Sequence, residues 1–346
     1  MGDYLPPVLI LGSERSGTNL LRALLSTHSK IASPPPAGLI DALAGIQSRY
    51  FLNGQPVRLS RLIDDVIALT KTHLNPWDID LDAKVVRAQL KTASFWDVFR
   101  VVNEIYAGEH GRPCWCSKEP GSFNHILEIA ESLADAKFVY LVRDGRDVAL
   151  SLLRGHLHAF HIYFAAEYWA WTQRQCLTAL ADPALSERIH LLKYENLIAN
   201  PVGALRGLMR FIGLDFEGSQ LQYYRNPQVL DHSKRSRFWR NLARPIDQKN
   251  MGKYRDGLGA RSVEIFESVA AAEMEALGYP LDSSHEKTFA PSEIRWYRTI
   301  AFVRKQFWGM DPRGEGFRIR ARVKATREII DRANGQSTDA VSGSTG

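Results

Sequence analysis

The chain has 346 residues, of which 45% are hydrophobic and 24% charged, and is long enough to bury a sizeable core without structural metals or disulfides. Its three cysteines form no disulfide framework, and we interpret Cys114 and Cys116 as reduced, buried strand residues. A formal charge of +6 favours anionic ligands or surfaces. The N-terminus lacks a signal-peptide pattern and no apolar run reaches the about 20 residues of a membrane span, so we expect a cytoplasmic protein.

Strand and helix patterns alternate along the chain. Apolar segments predict buried strands at residues 7–12, 114–118, 137–142 and 189–194. Helical patterns occur at residues 19–25, from about 39 to 107, at 122–134, 145–151 and 161–181, and from Pro201 onward. This alternation predicts an α/β fold of three layers, in which a central parallel sheet is flanked by helices and ligands bind at the carboxyl ends of the strands.

The predicted domain organisation has three parts. Residues 1–285 form one domain, residues 286–334 form a basic helical extension, and the small polar residues 335–346 form a disordered tail. The extension mixes aromatic and basic residues. We favour a docking helix whose aromatic face packs on the domain and whose charges are solvated; the alternative is peripheral contact with a membrane surface or an anionic acceptor.

The segment Gly12–Thr18 predicts a first anion site between a strand and a helix. Its glycines allow a tight turn, the first N–H groups of the helix face an anion, and Arg15 adds a positive charge. It is not a Walker A loop, because Thr18 rather than lysine follows Gly17. The alternative interpretation is an ordinary turn that caps the helix.

The segment Arg143–Ser151 predicts a second anion site after the third predicted strand. Arg143 lies at the strand end, and Ser151 lies on the same helix face as Asp144, two turns along. We interpret Asp144 and Asp147 as structural carboxylates. The alternative is an Arg143 that merely pairs with these neighbours. Two anion sites at one edge of a sheet suit a nucleoside with phosphates at both ends.

These motifs resemble the PAPS-dependent sulfotransferase family (PAPS is 3′-phosphoadenosine 5′-phosphosulfate) over residues 7–279. Arg15–Asn19 resembles the family's 5′-phosphosulfate loop, and Phe138–Ser151 resembles its 3′-phosphate motif. The weaker matches are Lys193–Leu197 followed by Pro201, whose tyrosine would lie by the adenine, Lys118-Glu119-Pro120 in place of a Lys-Thr-Pro segment, and the late segments Arg244–Ile246 and Gly252–Tyr254.

The resemblance implies a P-loop-like fold and metal-independent, in-line transfer of a sulfuryl group from PAPS to a hydroxyl or amine, with release of PAP (3′,5′-bisphosphoadenosine). It implies PAPS as the co-substrate and no metal or nucleic acid. The donor-binding residues implied are Arg15, Ser16, Gly17, Thr18, Asn19, Arg143, Ser151, Tyr194, Gly252 and Lys253.

Arg15, Lys118 and Glu119 are the predicted catalytic residues. Many relatives carry a glutamate or histidine base after the first helix, but residues 33–38 of this chain contain no ionisable side chain. Glu119 is therefore the first candidate for the base. The alternatives are a structural, salt-bridged Glu119 and, for the base, the histidines His156, His158 and His161, whose spacing also weakly suggests a metal site.

Two other functions are compatible with these patterns. A nucleotide or small-molecule kinase would share the P-loop-like fold, although the Walker lysine and a magnesium-binding aspartate after a strand are missing. A non-enzymatic nucleic-acid-binding module would share the basic character, although no recognition motif is present. The acceptor (sugar, lipid, peptide or small molecule) and the oligomeric state are not encoded in a readable pattern.

Overall fold

A computed structural model describes residues 5–51, 57–72, 75–155, 159–236, 238–283, 287–308, 323–324 and 326–332. One parallel sheet lies at its centre. The strands are β1 (Val8–Leu11), β2 (Ile31–Ala32), β3 (Cys114–Ser117), β4 (Lys137–Val142) and β5 (Ile189–Lys193). Their order across the sheet is β2-β3-β1-β4-β5, with Leu9 opposite both Ser117 and Phe138. The chain thus crosses from one side of β1 to the other, and the crevice at this switch point is where such folds bind ligands.

Helices account for most of the remaining described chain. The α-helices are α1 (Thr18–Ser26), α2 (Leu39–Leu43), α3 (Leu59–Thr72), α4 (Ala83–Ala88), α5 (Phe95–Glu109), α6 (Ile126–Ser132), α7 (Gly145–Gly155), α8 (Ile162–Ala181), α9 (Tyr194–Ala199), α10 (Pro201–Ile212), α11 (Pro227–Arg235), α12 (Tyr254–Gly257), α13 (Ala260–Ala276) and α14 (Pro291–Trp308). Short 3₁₀ helices span Ala44–Arg49, Ser122–Asn124, Ser186–Arg188, Gly218–Arg225 and Arg240–Ala243. None of the described helices is long and apolar enough to cross a bilayer.

The two faces of the sheet are buried in separate hydrophobic clusters. Val8 and Ile10 pack with residues of α1, α9 and α10, whereas Leu9 and Leu11 pack with residues of α5, α6, α8 and α13. Alternate side chains of β1 therefore enter opposite layers, as the two-residue period of a strand requires. The predicted three-layer α/β fold is confirmed.

The predicted strands are all present, but the sequence analysis missed β2. Its two residues are too few to show a period, and it forms a strand only because Ile31 and Ala32 align with β3. The predicted helix over 122–134 is instead a 3₁₀ turn followed by α6, since the backbone of His125 leaves the helical region (φ −128°, ψ 24°). Cys114 and Cys116 are buried free thiols in β3, and burial raises the pKa of each to about 12.

The predicted docking of the C-terminal extension is correct for only one side of α14. Tyr297 is 7% exposed and packs on the domain, but Trp296, Phe302 and Phe307 are exposed to solvent. The aromatic residues point in different directions because their spacing spreads them around the helix. The predicted tail, residues 335–346, lies outside the described residues, and the proposed domain boundaries stay a prediction.

Candidate active site

The loop between β1 and α1 is shaped by two glycines. Gly12 has φ 142°, and a Cβ at this position would lie 2.3 Å from the carbonyl oxygen of Leu141 in β4. Gly17 has φ 96°, and a Cβ there would lie 2.5 Å from the ring of Tyr194. Both positions combine a left-handed backbone with close contact, which only glycine tolerates. The loop is thus fixed against β4 and α9.

The amino end of α1 faces the crevice without a side-chain cap. Gly17 is the N-cap residue and no side chain accepts a hydrogen bond from the first turn, so the first N–H groups are available to an anion. Ser16 and Thr18 are buried at 0% and 3% exposure, and Asn19 is partly exposed. The predicted residues Ser16–Asn19 therefore form one continuous turn whose free N–H groups suit an anion.

Arg15 reaches across to the second motif. Its backbone is left-handed, with φ 69°, a conformation that costs a non-glycine residue about 1–2 kcal/mol. Its Nε donates a hydrogen bond to Ser151 Oγ at 3.0 Å, and its guanidinium lies 5.4 Å from the ring centre of Phe238. Burial lowers the pKa of Arg15, and the nearby charge of Arg143 lowers it further. A bound anion would favour the charged guanidinium and would therefore raise the pKa of Arg15 again.

Arg143 follows β4 and is held by three parts of the chain. One terminal nitrogen donates to the carbonyl of Arg15 at 3.3 Å, and the other donates to the carbonyl of Asn250 at 2.8 Å and to Asp147 at 3.2 Å. The guanidinium stacks 4.6 Å from the ring centre of Tyr194. Its Nε is buried and finds no hydrogen-bond partner among the described residues, which is unusual for a buried charged donor.

Asp147 holds the segment Gly252–Tyr254 against this site. Its carboxylate accepts hydrogen bonds from the backbone N–H groups of Gly252 and Tyr254 at 2.8 and 2.9 Å. Asn250 donates to the hydroxyl of Tyr194 at 2.7 Å, and burial raises the pKa of that tyrosine. Asp147 is therefore a structural carboxylate, as predicted. Asp144 is structural as well, because its carboxylate accepts from both the backbone and the side chain of Arg146.

The two motifs meet in a cavity of about 310 Å³ with five basic residues and one acidic residue in its wall. It is lined by Arg15, Arg143, Asp147, Leu150, Ser151, Arg154, Gly155, Phe238, Arg240, Asn241, Asn250 and Lys253. Five positive charges against one negative charge, which is itself paired with Arg143, make the cavity strongly cationic. The structure thus brings together the predicted residues Arg15, Arg143, Ser151 and Lys253.

Sequence reasoning missed several residues of this wall. Arg154 lies one turn after Ser151 on α7, so the i, i+3 spacing could have revealed it. Phe238 lies in a turn and Arg240 begins a short 3₁₀ helix, both after α11, and no local pattern marks them.

Lys118 and Glu119 lie apart from the cationic cavity. Both follow β3 and are 7% and 5% exposed. Glu119 Oε1 accepts a hydrogen bond from the backbone N–H of Ala37 at 2.7 Å, which ties the proline-rich loop to the end of β3. This contact supports the alternative of a structural glutamate. The assignment of Glu119 as the base stays a prediction.

Asp41 is an exposed carboxylate that the sequence analysis overlooked. It lies in the first turn of α2, just after the proline-rich loop, and its Oδ1 would be 3.4 Å from a Cβ on Gly121. Gly121 comes two residues after Glu119. Tyr168 of α8 accepts a hydrogen bond from the backbone N–H of Glu14 at 3.0 Å. Burial raises the pKa of this tyrosine, and the charge of Asp41 contributes to the shift. Asp41 thus offers an accessible carboxylate at the turn that follows β3.

The candidate histidines contribute little to this arrangement. His156 and His158 lie outside the described residues. His161 caps α8 by accepting a hydrogen bond from the N–H of Tyr163 at 3.2 Å, and burial lowers its pKa to about 4. No group of three or more metal-ligating side chains occurs within the part of the chain that the structure describes.

The comparisons with known proteins agree with this geometry. The sulfotransferase family profile matches residues 6–218. Protein-tyrosine sulfotransferase 2 of Gallus gallus is 21% identical over 292 residues, which is 80% of this chain and 70% of that protein. The protein-tyrosine sulfotransferase of Drosophila melanogaster is 21% identical over 291 residues, and the chain spans about half of it, 52%.

Two solved structures share the fold. The sulfotransferase domain of the Synechococcus PCC 7002 olefin synthase superposes with a TM-score of 0.55 at 22% identity, covering 81% of this chain and 97% of that domain. The sulfotransferase domain from the curacin biosynthetic pathway gives 0.54 at 24% identity, covering 80% and 99%. Because the family profile matches more than half of its length, the chain belongs to the sulfotransferase family.

Proposed function

We propose that this protein transfers the sulfuryl group of PAPS to a hydroxyl or amine acceptor and releases PAP. The observation that carries the proposal is the junction of the two phosphate motifs: Arg15 bonds to Ser151, Arg143 bonds to the carbonyl of Arg15, and both arginines line one cationic cavity. A ligand with two separate anionic groups on one nucleoside matches two adjoining anion sites on neighbouring strands.

The donor would be held by groups of different kinds at its two ends. The first turn of α1 and the hydroxyls of Ser16 and Thr18 suit the 5′-phosphosulfate. Arg143, Ser151 and the cavity residues Arg154, Arg240 and Lys253 suit the 3′-phosphate. The buried Arg143 Nε would gain a charged acceptor there. Tyr194 packs against Gly17 and Arg143 and would lie by the adenine.

The reaction would be an in-line displacement at sulfur. The acceptor oxygen or nitrogen forms a bond to sulfur, the bond from sulfur to the 5′-phosphate oxygen breaks, and the acceptor proton passes to a base. Arg15 and the loop N–H groups would stabilise the negative charge that collects on the departing phosphate. Lys118 follows β3, the neighbour of β1, and therefore lies at the same sheet edge as the loop.

We propose that this transfer needs no metal ion. In kinases Mg²⁺ neutralises much of the charge on the phosphates, whereas here five basic side chains converge on one cavity. Transfer should therefore persist in the presence of a chelator. A rate that falls on chelation and returns with Mg²⁺ would count against this part of the proposal.

The acceptor is the open part of the proposal. The protein-tyrosine sulfotransferases among the relatives make tyrosine-containing peptides the first class to test. Sugars, lipids and small phenols complete the screen, which follows the transfer of label from PAPS. One class that accepts label would identify the reacting group.

Thermal unfolding tests donor recognition without knowledge of the acceptor. PAP should raise the melting temperature strongly, because it would bridge both anion sites of the folded state only. ATP with Mg²⁺ should raise the melting temperature much less, and single-stranded DNA should leave it unchanged. Strong protection by ATP–Mg²⁺ without protection by PAP would favour the kinase alternative, which the family assignment already disfavours.

A further inference from the structure

Helix α14 is attached to the domain along one side. The ring of Tyr297 stacks on that of His161 with 4.2 Å between ring centres, and its hydroxyl donates to Glu293 at 2.5 Å. Farther along, Arg304 donates to the carbonyl of Phe160 at 3.1 Å. These contacts fix which side of the helix faces the protein, so the opposite side faces outward.

The outward side of α14 carries large apolar side chains. The exposed fractions are 61% for Trp296, 61% for Phe302, 44% for Val303 and 72% for Phe307. Trp296, Val303 and Phe307 recur at i, i+7 and i+11, a spacing that aligns them in one stripe along the helix. Grouped exposed apolar residues of this size mark a contact surface rather than ordinary solvent-facing positions.

Positive charge lies on the other edge of the outward side, because Arg298 and Lys305 are about half a turn around the helix from the stripe. The sequence of α14 contains four basic residues and a single acidic one, Glu293. Glu293 is engaged by Lys287 and by the hydroxyl of Tyr297. Arg295, Arg298 and Lys305 are exposed. The outward surface of α14 is therefore both apolar and cationic.

We propose that α14 binds the surface of an anionic membrane. The helix would lie in the plane of the interface, with Trp296, Val303 and Phe307 at the acyl boundary along one edge. The long side chains of Arg298 and Lys305 would reach lipid phosphates from the other edge. The positive charge of α14 favours an anionic membrane over a second copy of the chain as its binding partner. Two copies of α14 packed face to face would bring their positive charges together, whereas an anionic lipid surface neutralises them.

Vesicle co-sedimentation of the full chain tests the proposal. The protein should bind vesicles of phosphatidylcholine mixed with phosphatidylglycerol, bind phosphatidylcholine alone far less, and dissociate as salt is raised. The double variant Arg298→Glu with Lys305→Glu should bind the mixed vesicles more weakly by on the order of tenfold or more. The double variant Trp296→Ser with Phe307→Ser should also lose vesicle binding, because less apolar surface would be buried in the membrane.

A matched control removes exposed apolar side chains elsewhere. Leu127 and Val85 are 58% and 44% exposed on other helices, and Leu127→Ser with Val85→Ser should leave vesicle binding unchanged. Stabilisation by PAP, measured on every variant, should also stay unchanged, which separates this proposal from the proposed activity. Equal binding to both vesicle types, no binding to either, or binding that survives both α14 variants would overturn it. So would a concentration-dependent dimer that the α14 variants dissociate.

Discussion

The Nε of Arg15 lies 3.0 Å from the Oγ of Ser151, so a residue of the β1 loop is bonded to a residue on the helix after β4. The two predicted anion sites thereby adjoin in one cavity. Because donor binding would place phosphate oxygens against both residues, we expect contacts to the ligand to replace or extend the contact between Arg15 and Ser151. The arginine that is expected to stabilise the leaving phosphate is thus held inside the site before donor arrives.

Substitution of the two arginines should separate binding from transfer. Arg143→Ala should weaken PAP binding, because Arg143 grips a phosphate remote from the reacting sulfur, whereas Arg15→Ala should mainly lower kcat, because Arg15 meets charge that develops during transfer. Calorimetric titration with PAP and steady-state kinetics measure the two effects. Identical losses confined to binding would contradict this division.

Ser151→Ala provides a gentler version of the same test. Arg143→Ala also removes the charged partner of the buried Asp147, which would keep only its two backbone hydrogen bonds, and this change should destabilise the fold. Ser151→Ala leaves that ion pair intact and should weaken PAP binding by roughly 1–3 kcal/mol, as expected for a hydrogen bond to a charged group. Unchanged affinity with unchanged melting temperature would show that the hydroxyl does not contact the ligand.

Glu119→Gln and Asp41→Asn distinguish two candidate bases. Glu119→Gln keeps the oxygen that accepts from the N–H of Ala37, so the loop should survive. If Glu119 takes the acceptor proton, turnover should fall by about 10²–10⁴-fold and the acidic limb of the pH–rate profile should disappear, with PAP affinity unchanged.

Asp41→Asn is the matched variant for an exposed carboxylate near the same turn. Under the Glu119 assignment it should retain turnover within a small factor and keep the pH profile. Near-normal Glu119→Gln together with a slow Asp41→Asn that has lost its acidic limb would transfer the role of base to Asp41.

Gly17→Ala should damage the phosphate loop. The new methyl group would meet the ring of Tyr194 at 2.5 Å on a backbone with φ 96°, so both the loop and the adenine site would be displaced. We expect a lower melting temperature and little stabilisation by PAP. Gly207→Ala, in the exposed interior of α10 with no atom within 4 Å of the new Cβ, should instead raise stability by about 0.5–1 kcal/mol. Similar behaviour of the two variants would show that Gly17 has no special role.

His232 should make folding stability depend on pH. Its Nδ1 lies 3.3 Å from a terminal nitrogen of buried Arg22, and burial, followed by the charges of Arg22 and Arg235, lowers its pKa to about 4, while Asp231 and Asp78 oppose the shift. Between pH 4 and about 6.5 the unfolded chain binds more protons at this site. Its stabilising contribution is therefore complete above about 6.5 and is lost as pH falls to 4.

Chemical unfolding of the wild type and of His232→Gln across this range measures the effect. The difference in the free energy of unfolding should change with pH by up to about 1.4 kcal/mol per pH unit, the limit for one proton. Glutamine preserves an acceptor for Arg22 but does not titrate. Parallel curves for the two proteins would mean that His232 titrates alike when folded and unfolded.

The sequence by itself determined the parts of this protein whose signals are local. Two such parts are β1 with its glycine loop and β4 followed by Arg143 and Ser151. They can be predicted because apolar strand residues, turn glycines and helix spacing are patterns within fewer than a dozen residues. Since both segments belong to one parallel sheet, their meeting at the carboxyl edge followed as well. The two predicted anion sites suggested a nucleoside with phosphates at both ends, and the family resemblance added PAPS as the expected donor.

Only the tertiary structure decided which distant side chains share the site. Phe238 reaches the cavity from a turn and Arg240 from a short 3₁₀ helix, whereas Glu119 bonds to the proline-rich loop instead of lining that cavity. β2 exists only through pairing with β3, and the outward direction of Phe307 depends on how Tyr297 docks. Each of these features depends on packing between segments that are far apart in the chain. The free energy of such a contact depends on both segments together, so neither segment alone carries a sequence pattern that predicts it.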